Sequence, residues 1–197
     1  MKAPLGCSEV PPDNHNSPTA LLREEHQLIV AVAGALDRVL SVDTAGGPPG
    51  IGTVDACTKF FRNYADACHH AKEENLLFPA LEACGMERDT GPIAVMLHEH
   101  EQGRALVEAM GQLVERASTG DREADSDLRA AASSFVNLIT SHIAKEDGIL
   151  FEMADQLIQG PACDDLCAAY TDLAEERYEG YSKQDLVDLA GVILEVD

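Results

Sequence analysis

One segment of the chain occurs twice. Residues 69–78 return as residues 142–151, with a histidine, a glutamate and a phenylalanine at the same places in both copies. The offset is constant, because 142−69, 146−73 and 151−78 all give 73. In each copy the histidine precedes the glutamate by four residues, which puts both side chains on one face of a helix, about one turn apart. An imidazole and a carboxylate at that spacing can reach the same metal ion, or two neighbouring ones.

A further histidine precedes each copy. Glu25-His26 lies before the first and Glu99-His100 before the second, and 100−26 gives 74, almost the same offset. The chain therefore repeats a helix with one histidine followed by a helix with His-x-x-x-Glu. We interpret this duplication as one metal site shared by two similar halves. Its candidate ligands are His26, His69, Glu73, His100, His142 and Glu146.

The surroundings of these residues favour metal binding. Apolar residues at helical spacing flank His69 and His142, so both histidines share or border the core-facing stripe. A buried imidazole or carboxylate is costly without a partner, and a metal ion supplies one. Four imidazoles and two carboxylates exceed the needs of one tetrahedral zinc ion, whereas calcium and magnesium prefer oxygen ligands. Two iron or manganese ions fit this inventory, and zinc could substitute for them.

Periodicity and turn signals predict an all-α fold. Apolar residues at helical spacing, separated by Gly/Pro-rich or Ser/Thr/Gly turns, predict four long helices at about 19–40, 52–84, 91–117 and 124–159. Short turns favour antiparallel neighbours, so we expect an up-down-up-down antiparallel four-helix bundle. Pro79 falls inside the second helix and predicts a kink or break there.

We expect a single domain with two appendages. The chain has 197 residues, 45% of them hydrophobic, which suffices for one sizeable core. Residues 1–18 contain four prolines without periodicity and predict a flexible arm. The bundle should occupy 19–160. A C-terminal helical extension at 161–197 should contain one or two short helices, at about 162–179 and 183–194.

Charge and composition argue against several kinds of partner. The formal net charge is −21, which disfavours nucleic acid and anionic membrane surfaces because both bind basic patches. No apolar run approaches the roughly 18 residues of a membrane span, and the N-terminus lacks the apolar region of a signal peptide. We therefore expect a soluble, cytoplasmic protein. The six cysteines contain no Cys-x-x-Cys pair, so we expect mostly reduced thiols that pack between helices.

The pattern of histidines and glutamates resembles that of a known family. The order His…His-x-x-x-Glu…His…His-x-x-x-Glu, with Glu-Glu-x-x-Leu-Phe-Pro after the second histidine, is similar to the hemerythrin-like HHE cation-binding family. So is the stretch from Gly91 to Arg104. The resemblance covers about residues 19–160. It implies a non-haem di-iron centre, with an oxo or hydroxo bridge, inside a four-helix bundle.

The resemblance also implies how the ligands divide between two iron ions. His26 and His69 would serve one iron, and His100 and His142 the other. Glu73 and Glu146 would bridge them.

Two departures separate the chain from the oxygen-carrying members of that family. Their third helix offers a His-x-x-x-His pair, whereas Met96 and Arg104 stand at the corresponding places here. Their fourth helix has a His-x-x-x-x-Asp, whereas this chain has His142 and Glu146 at the shorter spacing. This variant is more similar to the family's enzymatic, stress-response and iron- or NO-related branches. The resemblance therefore implies dioxygen, peroxide or NO as the small-molecule partner, with catalase-like peroxide decomposition as one activity.

Two other functions stay open at this point. The chain could be a non-catalytic module that stores, senses or delivers iron. It could also be a metal-free helical scaffold whose C-terminal tail binds a partner protein.

Three further histidines have to be judged singly. His70 lies about 100° round the helix from His69, so it is either an additional ligand or a residue that supports a ligand or lies at the surface. His98 is two residues from His100 and points away from it, which predicts a surface position. His15, in the N-terminal arm, is also expected at the surface.

Charged neighbours of the ligands have expected roles as well. Glu74 and Asp147 are expected to accept hydrogen bonds from ligand imidazoles, or to be exposed, rather than to bind metal directly. Glu101 and Arg104 are three residues apart and could form an ion pair that orients the third helix, or an ordinary surface pair. Cys163 and Cys167, one helical turn apart, could be redox-active, although no other feature of the sequence supports it.

Overall fold

The computed structural model describes residues 17–41, 50–173 and 178–195. Within these ranges the chain forms six helices and no strand, which confirms the predicted all-α class. They are α1 (Ala20–Ser41), α2 (residues 51–83), α3 (Gly91–Ser118), α4 (residues 122–157), α5 (Pro161–Leu173) and α6 (Lys183–Glu195). Residues 1–16, which hold most of the predicted arm and His15, lie outside the described residues.

Local signals explain where the long helices begin and end. Gly85 follows α2 with a φ of 99°, a left-handed conformation that glycine adopts without strain. Pro92 stands in the first turn of α3, where its missing N–H costs no hydrogen bond. Asp121 caps α4, since its side chain accepts hydrogen bonds from the backbone N–H groups of Glu123 and Ala124.

The second and fourth helices are not regular α-helices throughout, which the sequence did not predict. In α2, the segments Phe61–His70 and Glu73–Leu77 are π-helical, and so is Glu146–Leu150 in α4. The backbone N–H of Phe78 donates to the carbonyl of Glu73, five residues earlier. Such wider turns are rare and are frequently found at functional sites. Here they coincide with the predicted ligands.

Helix α2 continues through Pro79, so the break that was predicted there as an alternative to a kink does not occur. The hydrogen-bonding pattern changes from π to α just before it, and the regular segment Phe78–Ala83 continues beyond it. Pro79 stands at the start of that segment, where a proline is tolerated. Of the predicted helix at 162–179, Pro161–Leu173 is helical, and residues 174–177 lie outside the described residues. The backbone groups of Tyr178 and Tyr181 instead pair across a turn.

The four long helices pack in a ring, in which α1 and α3 each contact both α2 and α4. Their buried apolar residues form two clusters. The Phe61 cluster includes Ile29, Phe61, Val107 and Phe135, and the Phe151 cluster includes Leu22, Phe78, Ile93 and Phe151. Along α1, Leu22 belongs to the Phe151 cluster and Ile29 to the Phe61 cluster. His26 lies between them. In the other three long helices the predicted ligands likewise lie where one cluster gives way to the other, which places them at the centre of the bundle.

The two short helices pack against the long ones. Helix α5 contacts the π-helical segment Glu73–Leu77, and α6 contacts α1 and α2. Tyr170 of α5 is buried in the Phe151 cluster, and Ile193 of α6 is buried in the Phe61 cluster. None of the helices in the described ranges combines the length and the apolar composition that crossing a membrane requires.

Candidate metal centre

All seven predicted site residues are buried, and the fold brings them together in two groups. Within each group, one potential donor atom from every residue lies within 4.8 Å of the others. The first group is His26, His69, Glu73 and Glu146. The second group is His70, Glu73, His100 and His142. Glu73 belongs to both groups, so the two share a boundary.

The two glutamates lie between the groups. Oε1 of Glu73 is 3.5 Å from Nε2 of His69, and Oε2 of Glu73 is 3.4 Å from Nε2 of His100. Each carboxylate oxygen therefore faces a different group. Glu146 also lies between the groups, because its Oε2 is 3.2 Å from Nε2 of His26 in the first group and 3.2 Å from Nε2 of His142 in the second. Its Oε1 lies 3.9 Å from Nε2 of His100.

Six buried nitrogen and oxygen atoms in this cluster, each able to coordinate a metal, have no hydrogen-bond partner among the residues that the structure describes. They are Nε2 of His26, Nε2 of His69 and all four carboxylate oxygens of Glu73 and Glu146. Leaving a buried polar atom unpaired costs about 1–3 kcal/mol, and more for a charged one. A cation with nitrogen and oxygen ligands would satisfy them. The residues present therefore fit iron, and the donor set also suits manganese or zinc.

His70, whose role the sequence left open, lies in the second group. Its ring stacks on that of His100, with 3.8 Å between the ring centroids. Nδ1 of His70 is 3.3 Å from a carboxylate oxygen of Asp66, which leaves Nε2 for the centre. His98 is exposed, as expected, and its Nε2 lies 3.1 Å from Nε2 of Gln102.

Each of the four repeated histidines has a carboxylate at its Nδ1. The pairs are His26–Asp147 at 2.8 Å, His69–Glu25 at 2.8 Å, His100–Glu74 at 2.7 Å and His142–Glu99 at 3.1 Å. A carboxylate at Nδ1 holds the proton there and turns the lone pair of Nε2 towards the centre. Every one of these acids adjoins a predicted ligand in the sequence, but holds a histidine on a different helix.

A positively charged side chain lies behind each of these carboxylates. Glu25 accepts hydrogen bonds from Lys72 at 2.9 Å and from Lys183 at 2.7 Å, and Glu74 accepts one from Arg104 at 2.7 Å. Glu99 accepts from Lys145, and the guanidinium of Arg23 lies 3.6 Å from Asp147. The predicted pair of Glu101 with Arg104 was wrong. Arg104 instead bridges Asp66 and Glu74 across to α2.

The sequence reasoning missed the supporting roles of four of these residues, although the repeat contains them. Lys72 and Lys145 are 73 residues apart, and Glu25 and Glu99 are 74 apart. The duplication therefore includes the carboxylates at Nδ1 and their counter-ions as well as the candidate ligands. Lys72 is fully buried, and a buried ammonium group needs such a partner.

Aromatic residues cover the two groups from the side of the Phe151 cluster. The ring of Phe151 stacks on that of His26, with centroids 5.2 Å apart, and Phe78 stacks on His100 at 6.0 Å. Leu77 and Leu150 are buried beside them. This wall excludes water from one side of the centre, which strengthens electrostatic interactions inside it.

In the absence of metal, neighbouring carboxylates raise the pKa values of His26, His69 and His100, whereas burial and the neighbouring imidazoles lower the pKa of His70. Burial alone would lower the pKa of His26, but Asp147 and Glu146 raise it to about 10. Burial would also lower the pKa of His100, but Glu146 and Glu74 raise it to about 9. Protons on these imidazoles then take the place of the metal charge, so metal binding should release protons.

The metal-free protein is therefore expected to lose stability as the pH rises from about 6.5 to 10. A histidine whose pKa is higher in the folded than in the unfolded chain stabilises fully below the unfolded value, near 6.5. That stabilisation disappears as the pH passes the folded values of about 10 for His26 and about 9 for His100. Urea unfolding at pH 6.5 and 9.5 should show a loss on the order of a few kcal/mol. Equal stability at both pH values would contradict this prediction.

The substitution Glu25→Gln is expected to weaken metal binding about 10- to 100-fold, the usual effect of removing a carboxylate that orients a ligand imidazole. Hydrogen bonds and charge from His69, Lys72 and Lys183 lower the pKa of Glu25 against the opposing effect of burial, so the carboxylate is ionised at neutral pH. The neutral amide removes the charge that this network is built around. A competition titration with a chromogenic chelator measures the affinity. The neighbouring exposed residue provides the control, Glu24→Gln, which should leave the affinity unchanged.

Comparison with known proteins identifies a family and several relatives to which this chain is similar. The model of the hemerythrin HHE cation-binding domain matches residues 17–154. An uncharacterized protein of Mycobacterium tuberculosis is 21% identical over 175 residues, which cover 87% of this chain and 66% of that protein. The iron-sulfur cluster repair protein YtfE of Edwardsiella ictaluri is 34% identical over 88 residues, covering 44% of this chain and 40% of YtfE.

The chain thus spans less than two thirds of the length of these relatives. YtfE of Musicola paradisiaca is also 34% identical, over 89 residues. No solved structure matches the chain.

Proposed function

Because the chain belongs to the hemerythrin HHE cation-binding domain family, we propose that it is a di-iron protein of the oxidative or nitrosative stress response. In this proposal a centre ligated by histidine and glutamate binds or reacts with dioxygen, peroxide or NO. The observation that carries it is the position of Glu73, whose two carboxylate oxygens face different groups of imidazoles. One cation would not need a carboxylate placed in this way, whereas two neighbouring cations would.

The proposed division of ligands follows the two groups. His26 and His69 would hold one iron, and His70, His100 and His142 the other. Glu73 and Glu146 would contact both. Two iron ions held in this way would supply reversible electron transfer and a position for a small oxidant, and manganese or zinc could replace them.

The surrounding residues would keep this centre assembled. The carboxylates of Glu25, Glu74, Glu99 and Asp147 hold the protons at Nδ1 and so present Nε2 of each histidine to the metal. The stacked rings of Phe78 and Phe151 keep bulk water off one side.

We further propose an up-down-up-down antiparallel order of the long helices. The alternating order in which they pass the two apolar clusters supports it.

The named relatives favour a role in stress over oxygen transport. YtfE, by its name, repairs iron-sulfur clusters, and it shares 34% identity with this chain over 88 residues. We therefore place peroxide decomposition and reaction with NO first among the activities to test. A non-catalytic iron-binding, storage or sensing module is the alternative. The buried unpaired donor atoms favour that module equally, since they need only a bound cation.

Iron content and peroxide consumption together test the proposal. Iron-reconstituted protein should retain iron through gel filtration and should consume hydrogen peroxide faster than the same concentration of free iron. The substitution His69→Ala should abolish the excess rate, whereas His98→Ala, at an exposed histidine of α3, should not. Retained iron without excess consumption would favour the non-catalytic module. Iron far below one ion per chain would contradict both functions.

A further inference from the structure

A cavity of about 400 Å³ lies beside the second group, between α2, α3 and α4. Most of its accessible wall is apolar and comes from Phe61, Ala65, Val107, Phe135, Leu138 and Ile139, while three histidines and several charged side chains line the remainder. The proposed function does not use this space. Pockets of this size and lining are typical of sites for organic molecules, which occupy about 300–1,000 Å³.

The cavity reaches one group of donors only. His70, His100 and His142 line it, whereas His26, His69 and Glu146 do not. On the side away from the cavity, Phe151 covers His26. A ligand in the cavity would therefore meet the centre only at the second group.

The volume is too large for the small oxidants alone. A water molecule takes about 30 Å³ in the liquid, and dioxygen, NO and hydrogen peroxide each have only two heavy atoms. The cavity could hold several times that volume. An apolar wall also gives these molecules little to bind, whereas it favours a ligand with an apolar body, because burying apolar surface contributes about 25 cal/mol per Å².

Five charged side chains line the cavity: Arg62, Asp66, Glu99, Arg104 and Glu108. The three that lie within four residues of a lining histidine in the sequence are already paired within the protein. The guanidinium of Arg104 is already paired with Asp66 and Glu74 at 2.7 Å. The carboxylate of Glu99 is paired with Lys145 and lies 3.1 Å from Nδ1 of His142. The charges nearest the histidines are thus balanced within the protein, which favours a ligand with a neutral head group.

Gly103 leaves room for such a ligand. It lies within α3 and lines the cavity, although glycine in a helix interior costs about 1 kcal/mol relative to alanine. A Cβ at this position would be 3.9 Å from the side chains of Leu138 and Phe135, which is ordinary contact. A larger side chain would extend into the cavity. Gly103 is therefore a position at which the volume can be reduced without touching a candidate ligand.

We propose that this cavity binds an uncharged organic hydroperoxide. The alkyl or aryl body of the ligand occupies the apolar wall, and its hydroperoxide group faces His70, His100 and His142. The inference rests on the proposed function, because it names the class of peroxide that reaches the same centre. It adds that the body of the substrate, rather than the peroxide group alone, is recognised.

Calorimetric titration of the zinc-loaded protein tests this binding without turnover, because zinc is not redox-active. The probes are cumene hydroperoxide and its unreactive alcohol analogue, 2-phenylpropan-2-ol. Saturable binding at one site is expected for both. The substitution Gly103→Leu should weaken it at least tenfold, and Val107→Phe serves as a second cavity-filling variant should the first fail to fold. The control is Gly191→Leu, the same substitution in α6 at a position with nothing within 4 Å of its Cβ, which should bind like the wild type.

The outcomes separate this inference from the proposed function. Absence of saturable binding by the wild type, or equal binding by a folded cavity-filling variant, would overturn the inference and leave the reaction with hydrogen peroxide intact. Metal content far below one ion per chain would overturn the proposed function. The same titration of the metal-free chain with the alcohol analogue would then still decide whether the cavity binds an apolar body.

Discussion

Replacing Glu73 with glutamine is expected to weaken binding of metal at both groups, by more than about 100-fold. Carboxylates that only orient a ligand histidine already contribute about 10- to 100-fold to metal affinity, and Glu73 faces both proposed metal positions directly. Its Oε1 lies 3.5 Å from Nε2 of His69 and its Oε2 lies 3.4 Å from Nε2 of His100. Glutamine keeps the shape, but it removes the negative charge and turns an N–H donor towards one of the imidazoles.

Elemental analysis after dialysis against a weak chelator measures this effect. The matched control is Glu101→Gln, an exposed glutamate beside a candidate ligand, which should retain its metal. The substitution His26→Ala provides a second comparison, because His26 belongs to the first group only and its loss should affect that group more. If Glu73→Gln emptied only one group, or neither, the shared carboxylate would not be a bridge.

Removal of the metal by chelation is expected to lower the melting temperature by about 10 °C. A ligand present at about 1,000 times its dissociation constant stabilises the folded state by about 4 kcal/mol. For a chain of this size, each kcal/mol corresponds to about 2–4 °C. The physical reason is the set of six buried donor atoms that have no hydrogen-bond partner in the described part of the chain. The proposed pair of cations would satisfy them, whereas the metal-free protein must rely on protonated imidazoles.

Thermal unfolding followed by helical circular dichroism, with and without chelator, provides the measurement. The difference should widen at pH 9, since His26 and His100, with pKa values of about 10 and about 9, begin to lose their protons there. In the variant Glu73→Gln, the chelator should have little effect. A wild-type melting temperature that does not respond to metal would show that the cluster is stable without a cation.

The repeat contained more of the centre than the candidate ligands alone. His69 and Glu73 were predictable as a pair, because their spacing of four residues is a local property of a helix. Glu25 and Glu99 were already visible as repeated residues, and Lys72 and Lys145, which are 73 residues apart, could have been found by extending the comparison of the two copies. What they contact could not have been found in this way, since each acid holds a histidine on another helix.

By itself, the sequence determined the helical class, the approximate bounds of the long helices and, apart from His70, the set of residues that meet at the centre. These depend on periodicity and on contacts within a few turns of one helix, which the order of residues specifies directly. The placement of His70 depended on the tertiary structure, as did the pairing of Arg104 with Asp66 and the cavity beside Gly103. The π-helical segments change the directions in which successive side chains of α2 and α4 point. Packing between helices then decides which of these side chains face each other. Distances between residues on different helices follow from that packing, and no local pattern encodes them.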